Sequence, residues 1–126
     1  MIKQVLVGIS AISVLGLAAC GGSSSSQVLK YPGNGNAAAG KTLFFGAGGC
    51  SVCHTIAGTS AQGKIGPELT HVGSMLTPDQ IYTQISDPKQ RPAPYATPLR
   101  QGVVMPSNNL TPQQRADLTA YLSSLK

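Results

Sequence analysis

An all-α domain of three to four helices joined by long Pro- and Gly-rich loops is the fold class this sequence predicts, on three observations. Two segments, Thr77-Pro78-Asp79-Gln80 and Thr111-Pro112-Gln113-Gln114, share one helix-opening grammar: a capping threonine, proline at the first helical position and glutamine three residues after the cap. The apolar residues after each recur at helical spacing. No segment alternates polar and apolar residues for long enough to make a strand. Composition sets the scale: 126 residues, 41% hydrophobic but only 5% aromatic, with 15 Gly, 9 Pro and no Trp, make one small domain at most. So lean a core needs something to complete it.

The amino-terminal element is an address rather than part of the fold. Lys3 precedes an almost uncharged apolar run from Val5 to Ala19, and the small residues Ala18 and Ala19 precede Cys20, the layout of an export signal peptide. At about 1.5 Å per residue this run reaches roughly 22 Å, short of the ~30 Å hydrocarbon core that a permanent span crosses. Leu17-Ala18-Ala19-Cys20 resembles the lipobox of bacterial lipoproteins. That resemblance implies removal of residues 1–19 and lipidation of Cys20, whose acyl chains hold the mature chain on a membrane. Residues 20–36 continue as GGSSSSQVLKYPGNGN after the cysteine, with no apolar periodicity, and are expected to form a flexible, lipid-anchored tether, with local docking of Val28, Leu29 and Tyr31 left open. Loss of Lys3 leaves the mature chain one unit below the +5 of the full sequence, still net positive.

The folded domain is expected over residues 37–126. Its first helix runs from Ala37 to about Phe45, with Asn36 as cap and Leu43 and Phe44 facing inward, and ends in the Gly46 to Gly49 stretch. Next comes Cys50-Ser51-Val52-Cys53-His54. On one helical turn, residues three and four apart share a face, so both thiols reach one edge of a flat group while the imidazole points at its centre. C-x-x-C-H is the attachment signature of covalent haem, with two thioether bonds to the porphyrin and an imidazole on iron. A thioredoxin-like dithiol wants a βαβ pattern that is absent here. A zinc site from Cys50, Cys53, His54 and His71 lacks the paired ligand spacing. A disulfide between cysteines three apart closes too small a loop to constrain the chain.

The second helix opens at Thr77 and runs through Ser86, ending before Pro88, with Ile81, Tyr82 and Ile85 as its buried stripe. Asp87 to Ser107 holds five prolines and no sustained period, so a structured loop is expected there. The last helix opens at Thr111, and Leu118, Tyr121, Leu122 and Leu125 follow an i, i+3, i+4, i+7 pattern.

From Ala37 to Lys126 the chain resembles a small monohaem class I c-type cytochrome, exported and lipoprotein-anchored. The residues carrying the likeness are the C-x-x-C-H motif, Gly40 with Phe44 before it, Gly66-Pro67-x-Leu69 after it, Met105-Pro106, and Leu118 with Tyr121 in the last helix. The resemblance implies one covalent haem c (heme c) with its iron, bound by Cys50 and Cys53 and ligated by His54 and Met105. It also implies a first helix crossing the last, glycine against aromatic, and a Pro67 carbonyl that receives the second ring nitrogen of His54 and fixes its tautomer. Ala47-Gly48-Gly49 lengthens the exit from the first helix relative to many members of that family. Met75 is the rival to Met105, and His71 the rival that would give a bis-histidine site. Asn108 stands where some small relatives bond the ligand sulfur, with plain turn polarity as the equal alternative. In the distal loop, Leu99, Val103 and Val104 are expected to exclude water, and Arg91, Tyr95 or Arg100 to meet a propionate.

Iron held by His54 and Met105 has no open position, which implies one-electron transfer between membrane-associated respiratory or photosynthetic redox partners. The expected partners are a redox protein donor and acceptor, and a membrane through the lipid on Cys20. The chain is expected to act as a monomer on the extracytoplasmic, periplasmic side of a bacterial membrane, with no small-molecule substrate. The alternatives are a haem-based small-ligand sensor and an electron-entry subunit of a larger oxidase or reductase. Acid-base catalysis lacks actors, since Glu68, Asp79, Asp87 and Asp117 form no close pair in sequence, and no enzyme is expected. Scattered basic residues and few aromatics also speak against nucleic-acid binding.

Overall fold

The computed structural model describes residues 27–90 and 104–126. The expected export signal, Cys20 and residues 21–26 lie outside the described residues, as do Arg91, Tyr95, Leu99, Arg100 and Val103 of the expected distal loop. The described chain forms α1 (Ala37–Phe45), α2 (Cys50–Cys53), α3 (Val72–Met75), α4 (Pro78–Ser86) and α5 (Pro112–Ser123). No strand forms among the described residues; one isolated antiparallel bridge pairs Thr55 with Gln62.

α1 begins where its cap dictates: the Asn36 side chain accepts the amides of Ala38 and Ala39, both at 3.0 Å. It packs on α5 at a backbone-to-backbone crossing, because Gly40 has no side chain and a β-carbon there would overlap the Asp117 carbonyl. Beside the crossing, the buried Phe44 ring meets Tyr121 edge-on at 5.8 Å. Leu43 is partly buried against the same core. α4 and α5 both open with complete capping boxes, Thr77 with Gln80 and Thr111 with Gln114. Leu118, Tyr121 and Leu122 of α5 are buried as their spacing predicts, and Leu125 packs partly buried against them.

Three features differ from the sequence expectation. In α4, Ile81 and Ile85 are buried, but the third buried position is Thr83 rather than Tyr82. The Thr83 hydroxyl accepts the Leu29 amide at 2.7 Å, while Tyr82 lies half-buried with its ring 6.0 Å from Tyr31.

The second difference follows from the first. Residues expected as tether lie against the domain from Leu29 to Asn36. Tyr31 N–H donates to Asp79 at 2.9 Å, Lys30 pairs with the same carboxylate at 3.1 Å, and Asn36 N–H donates to Asp117 at 2.8 Å. Gly35 fits against the Ala116 carbonyl, where a β-carbon would collide. The strap is held by polar groups of α4 and α5 rather than by an apolar face, so no hydrophobic period announces it.

The third is α3, a single turn whose Val72 is buried and whose Gly73 amide donates to the Leu125 carbonyl at 2.8 Å, closing the end of α5.

Candidate functional site

The exit from α1 positions the cysteine motif. Gly48 N–H returns to the Leu43 carbonyl at 2.8 Å, and Gly49 takes a left-handed conformation, φ 64°, which redirects the chain into α2. The additional Ala47-Gly48-Gly49 residues are therefore the turn itself. Within α2, Cys50 and Cys53 stand three apart, and the His54 amide closes the turn on the Cys50 carbonyl at 3.0 Å.

His54 carries the clearest geometry. Its Nδ1 lies 2.9 Å from the Pro67 carbonyl, and a carbonyl only accepts, so Nδ1 holds the proton. Nε2 is left with a free lone pair. Burial pushes the imidazole pKa below its ordinary value, against the opposing pull of the Pro67 carbonyl, which keeps the ring neutral and able to bind a metal.

The Cys50 thiol is pushed upward, chiefly by burial, and its Sγ lies 3.6 Å from the Gly48 carbonyl. A raised thiol pKa is the reverse of what a dithiol redox enzyme arranges.

All three side chains line one cavity of about 420 Å³. Its floor is apolar, built from Phe44, Leu69 and Val72 together with Ile81 and Ile85 of α4 and Leu118 of α5. The irregular segment from Val104 to Asn108 lines it too, which brings Met105 to the same space. The volume and apolar lining are those of a site for one sizeable, mostly apolar ligand with few polar anchors.

Met75 sits on α3, 48% exposed, and His71 is exposed with Nδ1 2.9 Å from the main-chain oxygen of Lys126. Neither lines the cavity. No group of three or more His, Cys, Asp or Glu side chains assembles for a metal among the described residues, so the four-ligand zinc set does not come together. Asn108 lines the cavity too, but its amide goes to the Ile85 carbonyl rather than staying in a solvated turn.

Sequence reasoning missed one residue of this site, Gly63, in the loop that grips the motif, and named Gly66 only within the Gly66-Pro67-x-Leu69 likeness, without a contact of its own. Ile65 and Gly66 amides both donate to the Cys53 carbonyl, at 3.1 and 2.6 Å. A β-carbon at 63 would press on main-chain atoms of Val52 to His54, so the close approach needs glycine there, and its only sequence signal is the small size that any loop glycine has.

The family model described as Cytochrome c matches residues 37–126. Among solved structures, the chain is similar to the c-type cytochrome SorU from Sinorhizobium meliloti, with 21% identity and a TM-score of 0.51, over 70% of this chain and 87% of that one. It is also similar to SoxXA from P. pantotrophus, with 24% identity and a TM-score of 0.53, over 73% of this chain and 82% of that one. Both likenesses concern the fold. No curated protein matches the chain in sequence.

Proposed function

The chain belongs to the cytochrome c family, and from that premise we propose that it shuttles single electrons between membrane-associated redox proteins through a haem held by Cys50, Cys53, His54 and Met105. The cofactor of the family is haem c, covalently bound and carrying iron. The residues present fit it: two thiols, a neutral imidazole with a free Nε2 and a methionine thioether belong to residues that line one largely apolar cavity. That His54 and Met105, far apart in sequence, line the same cavity is the observation that carries the reading. When bound, the group supplies a ferric/ferrous couple.

Each residue has a physical task. Cys50 and Cys53 attach the porphyrin edge, which fixes its position against α2. Pro67 holds the His54 ring in one tautomer. Met105 would hold the iron through its thioether, a ligand that raises the reduction potential. Phe44, Leu69, Val72 and their neighbours keep water away, so little solvent has to reorganise when charge changes. With His54 and Met105 both engaged, binding of oxygen or a substrate at the iron would be disfavoured, and the chain acts as a carrier rather than an enzyme.

A donor and an acceptor protein dock in turn, through the small, weak interfaces typical of redox encounters. The modest net positive charge steers such partners only slightly. A lipid on Cys20, after removal of the signal peptide, keeps the monomer on the extracytoplasmic face of the membrane where those partners reside. No helix among the described residues is long and apolar enough to cross a membrane.

The test is optical spectroscopy on haem-loaded wild type and Met105→Ala, oxidised and reduced, with and without carbon monoxide. Wild type should show the weak far-red band of a ferric iron to methionine sulfur bond and resist carbon monoxide, and Met105→Ala should lose the band and bind the gas. Ready binding by wild type, or an unchanged variant, would overturn the carrier and favour a gas sensor.

A further inference from the structure

We infer that Gly66 is a positioning residue for the iron ligand: the absence of a side chain at this position sets the plane of the His54 imidazole. The inference rests on the reading that His54 ligates iron, and deepens it. The Pro67 carbonyl fixes where Nδ1 points, but one hydrogen bond along the ring plane leaves the ring free to twist about that line. Gly66 closes the remaining freedom.

A β-carbon built on Gly66 would lie 2.5 Å from Cε1, 2.7 Å from Nδ1 and 3.0 Å from Nε2 of His54. All three nearest atoms belong to the ring and none to the main chain, so the glycine lies against the face of the imidazole. Gly63, in the same loop, differs: a β-carbon there would press on main-chain atoms, 2.5 Å from the Val52 carbonyl oxygen and 2.6 Å from the His54 nitrogen.

Gly66 is also unable to retreat. Its own N–H is bonded to the Cys53 carbonyl at 2.6 Å, and the next residue supplies the carbonyl that holds Nδ1. A side chain at 66, caught between two fixed points, has to displace the ring rather than the loop. Because the imidazole plane, together with the lone pair of the methionine sulfur, would set which iron d orbital holds the unpaired spin in a ferric low-spin haem, turning the ring would redistribute spin around the porphyrin. That redistribution is read directly in the proton resonances of the haem methyl groups.

The experiment is NMR on the haem-loaded full chain. In ferrous wild type, the Gly66 α-protons should show nuclear Overhauser contacts with the His54 ring protons. In ferric Gly66→Ala, the haem methyl resonances should change order while the far-red methionine band persists. Gly40→Ala, a still tighter insertion at the α1–α5 crossing, should lower stability and leave that order as in wild type. The inference is overturned if the wild-type contacts are missing, if Gly66→Ala keeps the wild-type order, or if Gly40→Ala reorders the methyl groups just as much. Where Gly66→Ala yields no loaded protein, the wild-type contacts alone decide. A wild type whose spectrum lacks a histidine-ligated low-spin haem removes the underlying site assignment, and that failure is visible before any variant is made.

Discussion

The side-chain amide of Asn108 donates to the main-chain carbonyl of Ile85 at 2.9 Å, tying the segment that carries Met105 to the last turn of α4. The Ile85 carbonyl belongs to the last turn, where a helix has no acceptor duty of its own to fulfil, so the Met105 segment satisfies the helix while the helix holds the segment. Asn108→Ala removes that bond and leaves a carbonyl unpaired, which should cost about 1–2 kcal/mol. The far-red methionine band should also disappear at a lower denaturant concentration than the helical circular dichroism, by a wider margin than in wild type. Parallel loss of both signals would show that Asn108 holds the fold in general and not the ligand segment.

Gly40→Ala forces a methyl group into the Asp117 carbonyl. Two helix backbones must then part, so chemical denaturation should find the variant destabilised by about 1–3 kcal/mol, the usual range for overpacking. An unchanged midpoint would mean that the α1–α5 crossing is looser than the structure describes.

Asp79 accepts the Tyr31 amide and the Lys30 ammonium, in that order of effect, and both hold its carboxyl below the ordinary value of 3.8. A folded-state pKa that is depressed stabilises the docked strap above the ordinary value, and the contribution vanishes as pH falls through the depressed one. The hydrogen-exchange protection of the Tyr31 amide should therefore be retained at neutral pH and lost in strong acid. In Asp79→Ala it should be low at every pH. Lys30→Ala should matter less, because that ammonium is well exposed and surface ion pairs contribute little.

Removal of the haem tests how far the cavity depends on its occupant. Phe44, Leu69, Val72, Ile81, Ile85 and Leu118 all line that space, so without its occupant a large part of the apolar core is left uncovered. Cys50→Ala combined with Cys53→Ala, purified free of haem, should show no cooperative thermal transition by circular dichroism. A sharp transition would mean that the helices carry the core unaided.

What was legible in the sequence was what is written locally. Asn36, Thr77 and Thr111 cap their helices with their own side chains within three residues, and α1, α4 and α5 begin where those caps lie. The bond from His54 to the Pro67 carbonyl, thirteen residues away, followed from the family resemblance and is present. Contacts between distant segments left no such trace. Thr83 is buried because Leu29 needs an acceptor, fifty-four residues upstream, and a helical stripe cannot announce that. Gly66 was legible as part of the Gly66-Pro67-x-Leu69 likeness, but its place against the His54 ring was not. α3 is a single turn, too short for a period to show.

The crossing of α1 on α5 also sets a timetable. A chain made from its amino terminus presents Gly40 and the cysteine motif long before Asp117 follows, and α1 finds its main helical partner only when α5 arrives. Contacts this distant form late. Until then Cys50, Cys53 and His54 belong to an unclosed chain, and the last segment made is the one that brings the first helix to its partner.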